Sequence, residues 1–102
     1  MSLSSKDRAS LRADAHHLKA LVHIGHNGIT AAIQQSLDDA LRTKELVKIQ
    51  LTRTADVDLR VAAGHLAQAV EAEVVQVIGR TVTLYRKNPD LEHKGELPAW
   101  RR

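Results

Sequence analysis

Gly25 and Gly28 stand with two residues between them, in the stretch His23-Ile24-Gly25-His26-Asn27-Gly28-Ile29-Thr30. Glycine has no Cβ, so it admits positive φ and lets another molecule's backbone come close. An apolar run of Leu21, Val22 and Ile24 precedes the pair, and a helical pattern follows from Ile29. The first N–H groups of a helix lack partners within it, and together with the helix dipole they attract phosphate. Small residues at both ends of a loop, with a helix N-terminus directly after it, are what close approach to a phosphate backbone requires. The same residues also suit a plain turn, because Asn-Gly is a strong turn dipeptide and Gly25 can simply end a strand. The stretch lacks the Gly-Lys-Ser/Thr ending of a nucleotide-binding P-loop.

Other chemistry has less support. The chain holds six histidines and no cysteine. His23 and His26 flank the glycine bend and His16 and His17 are adjacent, but zinc needs three or four well-placed ligands. No Ser/His/Asp elbow and no spaced carboxylate pair stands out. No enzymatic activity, metal, cofactor or small-molecule substrate is therefore expected. The absence of cysteine also fits a reducing compartment. The N-terminal residues lack a signal-peptide core, and no apolar run approaches the length of a membrane span, so a cytoplasmic location with no membrane partner is expected.

Charge points towards an anionic partner. The 102 residues carry 15 Lys and Arg against 12 Asp and Glu, a net charge of +3. Arg8, Arg12, His16 and Lys19 recur at spacings of four, four and three, which on a helix places them on one face. Lys48 and Arg80 extend the set. A solvated helix face explains the same stripe without any partner. Tyr85 and Trp100 are the only aromatic residues, too few for the base-stacking platforms of RNA-recognition motifs and OB-folds. Nucleic acid would have to be held by backbone amides, basic side chains and helix ends.

The elements that must position these residues follow from periodicity. Ser4 with Asp7 reads as a capping box, and Leu11, Ala15 and Leu18 give the first helix an apolar face. Leu21 to Ile24 reads as a buried strand. Thr30 is a candidate cap for a second helix bearing Ile29, Ile33, Leu37, Ala40 and Leu41. Leu46 to Thr52 alternates as a half-buried strand, with Lys48, Gln50 and Thr52 on one face. Asp56 is a candidate cap for a third helix with the stripe Leu59, Ala63, Leu66 and Val70. Glu73 to Ile78 and Thr81 to Tyr85 are strand patterns, and Gly79-Arg80 between them signals a type II′ hairpin. The predicted order is αβαβαββ, an α/β domain with a mixed sheet. Beyond Arg86 the pattern stops, so residues 87–102 are expected to form a charged, flexible tail.

Several pieces occur together and in order: Arg12-Ala13-Asp14-Ala15-His16-His17-Leu18-Lys19, the glycine stretch, Glu45-Leu46-Val47-Lys48-Ile49, Val75-Gln76-Val77-Ile78-Gly79 and Leu84-Tyr85-Arg86. This set resembles the CRM domain in its short, standalone YhbY-like form, over about residues 3–86 of a domain expected to span 1–86. The resemblance implies a compact four-stranded mixed sheet with three helices, similar to the C-terminal domain of translation initiation factor three. It implies RNA binding, with bacterial members associated with precursors of the large ribosomal subunit. It assigns Gly25, His26, Asn27 and Gly28 to the family's Gly-x-x-Gly loop. His26 stands where the family often has a fully charged basic residue, and Ala20 where it often has proline. The expected RNA contacts are this loop, Ile29 and Thr30, with Arg8, Arg12, Lys19, Lys48 and Arg80 around it. The competing expectation is a protein–protein adaptor on ribosomal or assembly proteins, its positive charge incidental. Nothing in the sequence calls for an obligate dimer, and a monomer is expected.

Overall fold

The computed structural model describes residues 4–25, 28–52 and 58–88. Seven elements follow the expected order: α1 (Ser5–Ala15), β1 (Ala20–Ile24), α2 (Ala31–Lys44), β2 (Leu46–Leu51), α3 (Leu59–Ala69), β3 (Glu73–Ile78) and β4 (Thr81–Tyr85). They build a four-stranded sheet in the order β1-β2-β4-β3. β1 runs parallel to β2, and β2, β4 and β3 pair antiparallel. Local chemistry sets several boundaries. Ser4 and Asp7 form the capping box at α1, and the Thr30 hydroxyl accepts from the Ile33 amide at 3.1 Å to start α2. α3 is capped by Asp58, two residues beyond Asp56, which lies outside the described residues. Gly79 has φ +57° and Arg80 does not share it, as a type II′ hairpin requires.

The two faces of the sheet are covered unequally. On one face Val22, Ile24, Val47, Ile49, Leu51, Val82 and Leu84 pack under α2 and α3. Leu37 and Leu41 supply the α2 stripe, and small Ala62, Ala63 and Ala67 beside Leu66 let α3 lie close to the strands. Burying each such Leu or Ile contributes about 1.5–3 kcal/mol. Among the described residues the other face receives only α1, whose Leu11 and Ala15 sit on Leu46, Val75 and Tyr85. Because α1 stops at Ala15, Leu18 and Lys19 fall in the connection to β1, not on the helix face that their spacing predicts. His16 and His17 close the helix with turn hydrogen bonds to Arg12 and Asp14.

Two charged side chains hold the end of the sheet away from the glycine loop. Arg86 donates to the Asp38 carboxylate at 2.7 Å, to the Val70 carbonyl at 2.8 Å and to the Asp38 carbonyl at 3.1 Å, tying β4 to α2 and α3. Glu45 is fully buried with φ +64°. A non-glycine residue keeps that conformation only where its surroundings fix it. Here the Glu45 amide donates to the Leu41 carbonyl, its carbonyl accepts from the Arg86 amide, and its carboxylate accepts from the Asn88 amide. Asn88, which the sequence pattern places in the tail, is thus held to the domain; residues 89–102 lie outside the described residues.

The Arg86 hydrogen bond, with the charges of Arg86 and Arg42, holds the Asp38 carboxyl below the usual carboxylate range against a smaller opposing effect of burial. A folded-state pKa below the unfolded one stabilises above the unfolded value and ceases to do so as pH falls through the folded one. Arg86→Ala should cost about 2 kcal/mol in urea unfolding at neutral pH, since it leaves a carboxylate and a carbonyl unpaired. Asp38→Asn should be destabilising at pH 7, and its deficit should shrink as pH falls below about 4. A deficit independent of pH would show that the ionised carboxylate is not what Arg86 holds.

Candidate nucleic-acid interface

The glycine loop lies where β1 ends and α2 begins. Ile24 accepts from the Thr52 amide at 2.8 Å, so the ends of β1 and β2 stand side by side. The Gly28 amide donates to the Gly25 carbonyl at 3.0 Å and closes the loop. His26 and Asn27 lie outside the described residues. The two glycines differ in what they require. Gly28 has φ +69°, a conformation that L side chains rarely adopt. Gly25 has no such φ, and a Cβ there would meet only the Thr52 hydroxyl at 3.6 Å, an ordinary contact. Nothing within the described residues demands a glycine at position 25.

The phosphate-seeking amides also shift from where the sequence puts them. α2 starts at Ala31, so Ala31 and Ala32, both exposed, carry the amides with no acceptor inside the helix. Thr30 uses its hydroxyl as the cap, and Ile29 packs against the core beneath α2. Arg80 sits at the same end. Its Nε donates to the Leu51 carbonyl at 3.0 Å and its guanidinium also reaches the Thr52 carbonyl, bracing the strand that flanks the loop.

The expected basic residues do not form one stripe. Arg8 is at the far end of the sheet, where it donates to the Val74 carbonyl at 2.9 Å and lies 4.0 Å from Glu73. It joins α1 to β3, about a strand length from the loop. Arg12 is exposed on α1. Lys19 and Lys48 meet instead beside Lys44, around a small groove of about 130 Å³ with Leu18, Leu21, Leu46 and Val47. Lys44 is absent from the sequence-based set; its place at the last turn of α2 gave no hint that the start of β1 would come alongside.

Between the lysines and the loop lies the part of the α1 face that no described helix packs on through apolar side chains. Register fixes two rows across it. Lys48, Thr83 and Gln76 are neighbours on β2, β4 and β3. One step nearer the loop come His23, Gln50, Thr81 and Ile78, one from each strand. Alternation along β2 makes Lys48 and Gln50 legible as one face; His23 and Gln76 required the pairing. Among the described residues no three His, Asp or Glu side chains gather into a metal site.

The sequence matches the CRS1/YhbY (CRM) domain over residues 3–86. The chain belongs to the CRM domain family. It is 32% identical to the probable RNA-binding protein PA4753 of Pseudomonas aeruginosa, over 87% of this chain and 86% of the relative. It is 32% identical to an RNA-binding protein of Haemophilus influenzae, over 95% and 96% of the two chains. The fold is similar to the solution structure of SAV1595 from Staphylococcus aureus, itself described only as a candidate RNA-binding protein. That match has a TM-score of 0.73 and 32% identity, covering 85% of this chain and 91% of the other. The compact three-helix, four-strand arrangement is thus a CRM fold, and the loop from Gly25 to Gly28 is its strand-to-helix junction.

The unequal demands on the two glycines in this CRM domain are measurable. Gly28→Ala should lose about 1 kcal/mol in urea unfolding because of its φ. Gly25→Ala should stay within about 0.5 kcal/mol of the parent. Equal losses would mean that the fold itself requires Gly25.

Proposed function

We propose that this CRM domain is a non-enzymatic RNA-binding protein acting as a monomer in the cytoplasm, and that its RNA is ribosomal RNA in precursors of the large subunit. The observation that carries RNA contact is the loop. It has at Gly25 a glycine that nothing among the described residues requires, and the open amides of Ala31 and Ala32 stand just beyond Gly28. An RNA backbone approaches over Gly25, and phosphate meets the amides at the start of α2. Lys48, Lys19 and Lys44 extend the positive surface, and Arg12 adds an exposed charge on α1. Arg8 and Arg80 act chiefly by holding strands in place. The names of the Pseudomonas and Haemophilus relatives support the RNA reading. The assignment to large-subunit precursors follows the family resemblance.

Crosslink-site sequencing of RNA bound in cells should place the parent protein on large-subunit precursor RNA, and the Gly25→Asp/Gly28→Asp variant should lose those sites while remaining folded by circular dichroism. Crosslinks confined to other RNAs would remove the ribosomal assignment. In vitro, log K against log salt should fall with a slope of about −2 to −4, as three to five phosphate contacts on a single strand require. A salt-insensitive association with RNA-free ribosomal proteins would favour the adaptor reading instead.

A further inference from the structure

A cleft of about 170 Å³ opens between the C-terminal end of α1 and these two rows of the sheet, Lys48-Thr83-Gln76 and His23-Gln50-Thr81-Ile78. It is lined by His16, Lys48, Gln76, Ile78, Thr81 and Thr83. Water occupies roughly 30 Å³ in the liquid, so the space suits a ring better than a single solvent molecule. We propose that this cleft is a subsite for one unstacked keto base, uracil in the simplest case, of a single-stranded RNA whose backbone lies on the glycine loop. The inference rests on the RNA-binding reading above and adds a base preference to it.

Three observations converge on the cleft. The first is Thr83. Its residue is 1% exposed and its hydroxyl has no hydrogen-bond partner, although buried polar groups nearly always have one. Strand alternation turns Thr83 to the α1 face, into the cleft, while Val82 and Leu84 go to the core. The second is a bulge. Val74 pairs with Leu84 and Gln76 with Thr83, so Val75 is an extra residue in β3. Strict alternation would send Gln76 into the core beneath α3. The bulge keeps Val75 under α1 and delivers Gln76 to the cleft beside Thr83. The third is Ile78, which is 61% exposed on the row beside them. It offers an apolar flank to a ring in a chain whose Tyr85 is buried under α1.

The lining also selects among bases. It holds an ammonium, two hydroxyls, an imidazole and a carboxamide, and no carboxylate. Such a set donates more readily than it accepts, so it suits a base edge rich in carbonyl oxygens. Uracil presents two carbonyls flanking one N–H, for which the Gln76 carboxamide is an acceptor. Cytosine replaces one of those carbonyls with an amino donor. From the Lys48 row to Thr52, beside Gly25, is four strand residues, about 13 Å. A strand of a few nucleotides spans that distance, so one RNA can reach both places.

Fluorescence anisotropy of the full chain with decauridine and decacytidine tests this. The parent should bind decauridine about fivefold to tenfold more tightly, the effect of one well-made hydrogen bond. Thr83→Val should bring the ratio to about twofold or less, with decacytidine affinity and the salt slope unchanged. Its melting temperature should not fall, since an unpaired buried hydroxyl is replaced by a methyl. Gln76→Ala, at a partly exposed position, should flatten the ratio in the same way and carries the test should Thr83→Val unfold. Gly28→Asp should weaken both oligonucleotides equally and preserve the ratio. Equal binding of the two oligonucleotides by the parent overturns the subsite and leaves the backbone reading standing, as does a ratio that survives both cleft variants. Binding of neither oligonucleotide overturns both.

Discussion

Lys48, Thr83 and Gln76 stand side by side because β2, β4 and β3 keep one register across the sheet. A slip of one residue in any of them would exchange the solvent face for the core face along that whole strand. The register is enforced from below: Val82 and Leu84 must stay under α2 and α3, with Val47, Ile49 and Leu51 beside them. The polar rows on the other side follow from that apolar constraint. α1 has eleven residues and anchors through Leu11 and Ala15 at one end of its face, so among the described residues it leaves the rows nearer the loop only partly covered. Among the described residues two helices cover one side of the sheet and one helix the other, and the less covered rows begin beside the loop.

The two ends of the sheet do different work. At one end, charged side chains are spent on the interior: Arg86 reaches α2 and α3, Glu45 binds the outgoing chain, and Arg8 joins α1 to β3. At the other, Arg80 braces the strand ends beside the loop. The strands that carry the loop are thus tied at both ends by side chains outside it. The glycines divide along the same line, Gly28 serving the turn and Gly25 nothing that the described residues require.

Much of the fold was legible because its signals are local. Ser4 with Asp7, Thr30 three residues before Ile33, and Gly79-Arg80 between two strand patterns act within one turn of chain, and each appears where expected. The features that escaped notice depend on distant partners. The end of α1 at Ala15 places Lys19 near Lys44 and Lys48, which no helical spacing foretells. Glu45 looks like a solvated charge until Asn88 and Arg86 come back to it from more than forty residues away. Arg8 looks like part of a basic stripe until β3 presents the Val74 carbonyl. The extra residue in β3 is invisible as alternation, since Val74, Val75 and Val77 are all apolar and only pairing with β4 tells which faces the core. In the candidate interface, the loop could be named from its residues, but the surface leading away from it could not.

Both ends of the described chain are fastened at the end of the sheet remote from the loop. Arg8, in the second turn of α1, reaches Val74 there, and Asn88 is fastened to Glu45 and to the Arg42 carbonyl. The second turn of α1 and Asn88, the last described residue, therefore both stand at the end of the sheet opposite Gly25 and Gly28. A probe attached at either point would report on the anchored end of the domain and not on the glycine loop.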